Sequence, residues 1–447
     1  MAGGTFNSNV PKKRPGVYVN VKSGRNAAPV SSKTGTVALP LAGYDWGPQG
    51  KFLRIESTAP DAYRSILGRS INDNNKYMRM IKMAFIKAAT VCAYIPAGGK
   101  KAKATATIGA GQLTIEAMYA GSLGNSLKVV SVANTAGGFD VTVYNGTTAV
   151  EIFEKVATAE ELVGVSEYVT FTGTGAMAAF ASVSLTGGEN TENTNEGFTD
   201  FLDACEYLRF DCVAFPVSSE EEDLQAALLS KIRYIRENLG RKCQAVAANF
   251  EADYEGIINL TNGVVYDDAE VPAEEATAFV AGITAGADYV TSNTYAAFPG
   301  ATEIVGLKSN EGSEAAIDNG EMFFTYDEEG NVVIEYDINS LVTFTNEKTE
   351  DYRKNRVLRV YDSIANQLKS TFAPNKFSNS EDGWAVMESL GRALLKEYEA
   401  AGAIMDVVPE DDFVVDRSRS GGEATYFDVA IRAIDSAEKL YFTVTTM

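Results

Sequence analysis

The sequence predicts a multidomain chain of mixed α/β and α+β character, with α/β core domains, an inserted β-rich domain and extended strand arms at both ends. Three observations carry this. A buried-strand run, a helical stripe and a second buried-strand run follow one another between Asp211 and Ala248. The composition turns to Thr, Gly, Ala and Val between residues 99 and 190, and short runs of period two stand near both termini. With 447 residues and 45% apolar side chains, the chain can fill roughly three packed cores.

Residues 1–24 read as an arm and a strand. The first sixteen are polar and basic, whereas Val17, Val19 and Val21 alternate with Tyr18, Asn20 and Lys22 between Pro15-Gly16 and Ser23-Gly24. Residues 25–98 read as the first part of a core: a strand around Thr36 to Leu41, helices at Ala59 to Leu67 and Lys76 to Ala89, and a strand from Val91 to Ile95. Alternating runs through 99–190 predict an outer β domain, and the polar residues 186–200 predict a return linker.

Residues 197–345 are expected to form an α/β middle domain. Asp211 to Val217 is a buried-strand run, and Ser219 to Glu222 reads as a capping box before Leu224, Leu228, Ile232, Ile235 and Leu239. Gly240 stops that helix and Cys243 to Ala248 resumes a buried strand, which makes a βαβ unit with a parallel pair. Gly320 to Phe324 and Asn331 to Tyr336, split by an Asp-Glu-Glu-Gly turn, predict a hairpin. Residues 346–430 hold two amphipathic helices, one striped by Val357, Tyr361, Ile364 and Leu368, the other by Met387, Leu390, Leu394 and Tyr398. The end, 431–447, is a strand arm in which Leu440, Phe442 and Val444 alternate with other residues.

Composition excludes common chemistries. With no histidine there is no Ser-His-Asp triad, no Cys-His dyad and no His-bearing metal site. Cys92, Cys205, Cys212 and Cys243 form no CxxC pair and read as reduced core residues, so no metal and no cofactor is expected. Gly173-Thr174-Gly175-Ala176-Met177-Ala178 fits GxGxxA, yet no helix is expected after it to face a pyrophosphate, so it reads as a turn. Ser436-Ala437-Glu438-Lys439 fits SxxK without its companion motifs and also reads as a turn. No catalytic residue is assigned, and the chain is expected not to be an enzyme.

The 39 basic against 60 acidic residues give a net charge of −21, which disfavours nucleic acid and anionic membranes as partners. No segment approaches the roughly 18 consecutive apolar residues of a membrane span, and the N-terminus lacks a signal-like apolar stretch. Synthesis in the cytosol without membrane insertion is the expectation. Two basic islands interrupt the acidic background. One holds Lys12, Lys13, Arg14, Lys22 and Arg25; the other holds Arg353, Lys354, Arg356, Arg359 and Lys369, with Arg356 and Arg359 on the helix face opposite the apolar stripe and Arg353 and Lys354 flanking. The second island is either a solvated face or a docking face for an acidic partner. Likewise, the terminal strands either close on their own domain or add to a sheet in another copy.

Several motifs in order carry a family resemblance. Arg14-Pro15-Gly16-Val17-Tyr18-Val19, Val280 to Ala287 with its continuation Ser292 to Tyr295 and Phe298 to Ala301, Asn355 to Val360, and Ile434 to Val444 resemble the sheath proteins of contractile phage tails and contractile bacteriocins. The resemblance implies a subunit that forms stacked hexameric rings around an inner tube and contracts to drive the tube through a bacterial envelope. Its implied partners are further copies of itself, the inner tube protein, and baseplate and collar or terminator proteins. Assembly would occur in the bacterial cytoplasm, with release in a virion tail or a headless particle. Val17, Tyr18, Val19 and Val21, with Leu440, Phe442 and Val444, would be the strands exchanged between subunits. The inward position of the family's C-terminal domain would make Arg353, Lys354, Arg356, Arg359 and Lys369 a tube-docking face. A non-contractile surface or adhesion protein is the competing reading.

Overall fold

The computed structural model describes residues 2–4, 16–18, 35–109, 111–191 and 194–446. It divides into a unit spanning residues 1–33 and one spanning 34–447. In the first, strand Gly16–Tyr18 pairs in parallel with Ala2–Gly4, Val17 lying opposite Gly3.

The second unit is organised by a seven-stranded sheet. Its strands in chain order are β1 (Thr36–Pro40), β2 (Phe52–Glu56), β3 (Thr90–Tyr94), β4 (Cys212–Phe215), β5 (Gln244–Ala248), β6 (Ile257–Leu260) and β7 (Glu321–Met322). They lie side by side as β7-β6-β5-β4-β1-β3-β2, all parallel except the edge strand β2. Parallel strands are covered on both faces, which is why the central ones are continuous apolar runs. In β4, Cys212 and Ala214 enter one core while Val213 and Phe215 enter the other.

Helix α1 (Lys76–Ala84) belongs to the first core, and α2 (Asn195–Ala204) and α3 (Glu222–Arg233) cover the opposite face. The β4-α3-β5 passage is the parallel βαβ unit read from the sequence. Two local expectations fail. Glu221, not Ser219, is the N-cap of α3 and makes no side-chain cap, so acidic residues in the first turn, Glu222 and Asp223, are what favour that helix end. The polar stretch 186–200 is not all linker, because α2 starts inside it and buries Phe198 and Phe201.

Helix α4 (Ala273–Gly286) packs across the first core and is buried nearly all round, so it shows no amphipathic stripe. Its glycines explain the Val280 to Ala287 motif. A Cβ at Gly282 would stand 2.4 Å from the Ala84 carbonyl oxygen, and one at Gly286 2.6 Å from that of Lys87. Small residues let α4 approach the end of α1 backbone to backbone.

The inserted region is a β-sandwich. One sheet orders Thr148–Val156, Phe139–Asn145, Leu127–Ala133 and Phe180–Ser184; the other orders Val169–Thr172, Gly111–Ala117 and Lys103–Ile108. Leu113, Ile115, Val129, Val141 and Val143 fill its interior. Gly175 lies in a loop where its N–H meets Glu160 Oε1 at 3.1 Å, and strand Phe180–Ser184 rather than a helix follows.

The C-terminal part contains α5 (Asn355–Thr371), α6 (Glu381–Ala400) and the antiparallel pair β8 (Phe413–Val415) and β9 (Phe427–Val429). Val360, Ile364, Leu394, Leu395, Tyr398 and Phe413 form its core. It is joined to the α/β layer by a buried bidentate pair: Arg236 Nη1 and Nη2 lie 2.6 and 3.0 Å from the Asp362 carboxylate. Arg236 falls in the π-helical turn Tyr234–Asn238 that extends α3.

Candidate assembly interface

The second basic island sits at the start of α5, and its environment differs from the sequence expectation. Asn355 and Asp337 are almost wholly buried and hydrogen-bond each other, Nδ2 to Oδ1 at 2.9 Å. Asp337 Oδ2 also accepts the Asn293 backbone N–H at 2.9 Å and Arg359 Nη2 at 2.9 Å. Arg359 Nη2 further donates to the Thr291 carbonyl at 2.6 Å, and Arg356 Nε donates to the Val290 carbonyl at 2.9 Å. The segment 290–293 therefore wraps both guanidinium groups with its carbonyl oxygens.

Lys354 Nζ pairs with Glu438 and, at 3.6 Å, with Asp435, and lies 4.2 Å from the Tyr336 ring centre. Burial disfavours its ammonium form, but the hydrogen bond to Glu438 and the nearby acids outweigh that and raise its pKa above the ordinary value. Arg353 is half-buried, and Lys369, which is exposed, donates to the Leu239 carbonyl. The face opposite the apolar stripe is thus mostly packed rather than free. Arg356 is only 6% exposed and Arg359 is paired with Asp337, so the two do not form the open basic helix face that the charge pattern suggested. Charge pattern along a helix could not reveal this, because the covering groups come from residues 290–293 and 337, far away in sequence.

The expected strand residues divide similarly. Val17 and Tyr18 lie in Gly16–Tyr18, while Val19 and Val21 fall outside the described residues. At the other end, residues 431–434 run beside 403–405, with Met405 N–H on the Arg432 carbonyl and Ile434 N–H on that of Ala403, each at 2.9 Å. Glu438 is the last described residue whose side chain is held by hydrogen bonds: Oε1 accepts Ser292 Oγ at 2.7 Å and Thr294 Oγ1 at 2.8 Å. Beyond it, Leu440, Tyr441, Phe442 and Val444 are 66 to 90% exposed. Residues 440–446 have alternating strand character but no strand pairing to the described part of the chain.

Among the described residues no group of His, Cys, Asp and Glu could hold a metal ion, and no helix is long and apolar enough to cross a membrane. All four cysteines are buried free thiols, and burial pushes that of Cys243 up to about 12.

The chain thus combines an α/β core, a β-sandwich and a helical domain, an architecture that comparison with known proteins assigns to one class of structural protein. Residues 97–190 match the phage tail sheath protein beta-sandwich domain, 191–340 the central domain and 347–446 the C-terminal domain. The chain belongs to the phage tail sheath family and is a structural subunit of a contractile tail sheath. It is 34% identical to the phage-like element PBSX protein XkdK of Bacillus subtilis over 99% of both chains. The tail sheath protein of Clostridium phage phiCD119 is 32% identical over 40% of this chain and 51% of its own. Among solved structures, the sheath tail protein of Desulfitobacterium hafniense superposes with a TM-score of 0.80 at 32% identity, covering 96% of this chain and 99% of that one. The helical sheath of the anti-feeding prophage in its contracted state shares the fold, with a TM-score of 0.55 at 13% identity over 98% of this chain and 100% of that one.

Proposed function

We propose that this subunit polymerises as stacked hexameric rings around an inner tube, linked by exchange of its terminal strands, and contracts to drive the tube through a bacterial envelope. The observation that carries the reading is the segment 440–446, whose apolar residues are exposed and whose backbone has no strand partner among the described residues. Burying such a segment against a sheet edge of another copy would satisfy its backbone and remove apolar surface from water. The paired strands β8 and β9 offer edges of the kind such an arm extends.

The work is mechanical and needs no catalytic group, and the role is non-enzymatic. Partners are other copies, the tube protein, and baseplate and collar or terminator proteins, met during assembly in the bacterial cytoplasm. For contact with the tube, Lys369 and half-buried Arg353 are the cations of the island with a surface to offer. Reversing Arg356 and Arg359 would test folding instead. Deleting residues 440–447, or residues 1–20, should leave folded subunits that sediment as monomers. Polymers of normal length from either truncation would refute strand exchange.

A further inference from the structure

Arg356 is a buried cation with no ion pair among the described residues. It is 6% exposed, its guanidinium makes one hydrogen bond, to the Val290 carbonyl, and its Nη1 is buried without a partner among the described residues. Asp288, Asp435 and Glu438 lie within electrostatic reach, but none of them forms an ion pair with it; Lys354 takes Asp435 and Glu438 instead. Around it, Arg359 Nε and Nη1 and both amide atoms of Asn293, 1% exposed, are also buried without partners. Polar groups without partners and a cation without an ion pair are destabilising when shielded from water. The site also lies in the first turn of α5, which contains no acidic residue and carries the positive end of the helix dipole. An oxyanion would give the unpartnered N–H groups of the two arginines and the Asn293 amide nitrogen an acceptor.

We propose that Arg356, flanked by Arg359 and Asn293, receives a carboxylate from a second copy of this chain. Each copy carries 60 acidic residues against 39 basic ones, so it presents the complementary charge. Position favours a copy over any other donor. Lys354, two residues before Arg356, holds Glu438, so the C-terminal arm leaves the subunit beside this site and the copy that accepts the arm is brought against it. This last step rests on the strand-exchange reading above. In the assembled particle the neighbour's carboxylate would complete the nest and make contact there specific for register as well as attractive.

The test uses full-length chain carrying Arg356→Lys, prepared separately with light and heavy nitrogen, mixed, assembled, and treated with a carbodiimide that joins an amine to a carboxylate in contact. The expected product is an amide between position 356 and an Asp or Glu peptide of the other isotope, lost when the same chains are kept unassembled. Links only within one copy, for instance to Asp435 or Glu438, or no link at 356 in assembled material, would overturn the proposal. Arg359→Lys serves as the internal control, with a same-copy link to Asp337 in both states. Should Arg356→Lys not fold, a density map of the assembled wild-type sheath decides: a neighbour's carboxylate on Arg356 supports the site, and water or the chain's own carboxylate overturns it. A chain lacking 440–447 separates the two readings. If it assembles and Arg356 still meets a neighbour's carboxylate, strand exchange fails while the site stands; if full-length chain assembles without that contact, the site alone fails.

Discussion

Lys354 and Glu438 form an ion pair that ties the residue preceding α5 to the last anchored residue of the C-terminal segment. The remaining carboxylate oxygen takes Ser292 and Thr294, so one side chain gathers three donors from two distant parts of the chain. Two residues later the chain is exposed. The boundary between anchored domain and arm is therefore sharp and chemically defined.

Glu438→Ala should loosen that boundary. Loss of charge-assisted hydrogen bonds costs about 1–3 kcal/mol. Chemical denaturation should show a drop in that range, and mass spectrometry after brief protease treatment should show earlier cleavage before residue 438. Unchanged stability and an unchanged first cleavage site would show that Glu438 is not the anchor.

Gly282→Ala should disturb the approach of α4 to α1. The new methyl would meet the Ala84 backbone at 2.4 Å, and backbone cannot rotate aside as a side chain can. Overpacking of this kind costs about 1–3 kcal/mol. The urea midpoint should fall accordingly; a rise, as expected from helix propensity alone, would contradict the close contact.

Glu388 links α6 to β8 and its flank. Its Oε1 accepts the Val415 N–H at 2.9 Å and Arg417 Nη1 at 2.9 Å, with Arg417 Nη2 3.2 Å from Oε2. The Arg417 hydrogen bonds, then the Val415 N–H and the charges of Arg417 and Arg392, hold its pKa below the ordinary value against the opposing effect of burial. A depressed carboxylate pKa gives stability that is full above the unfolded pKa of about 4.3 and lost as pH falls through the lower folded value. Glu388→Gln should thus destabilise by about 1 kcal/mol at pH 7, at the lower end because Arg417 is half-exposed. The gap to wild type should close below about pH 4. A gap of equal size at pH 3 would show that packing, not charge, is responsible.

What the sequence made legible follows from how each element is stabilised. The β4-α3-β5 unit and the helices α5 and α6 announce themselves because apolar periodicity and burial coincide there. Helix α4 was visible as a motif but not as a helix, since a segment buried all round has no polar face to set a period. Strand β2, Phe-Leu-Arg-Ile-Glu, mixes charged and apolar residues because it is a sheet edge, and it was missed. The island at Arg356 and Arg359 was misread as an open face for the reason given by Asp337 and residues 290–293: partners brought by tertiary structure leave no local signal. For Leu440, Phe442 and Val444 the strand alternation is present, but they pair with no strand among the described residues.

The central claim is that the exposed arm joins subunits into a sheath. Electron microscopy of purified full-length chain beside chain lacking residues 440–447, at equal concentration, tests it most directly. Striated tubes of sixfold symmetry from the first and only single folded subunits from the second are the predicted result. Indistinguishable tubes from both chains would contradict it.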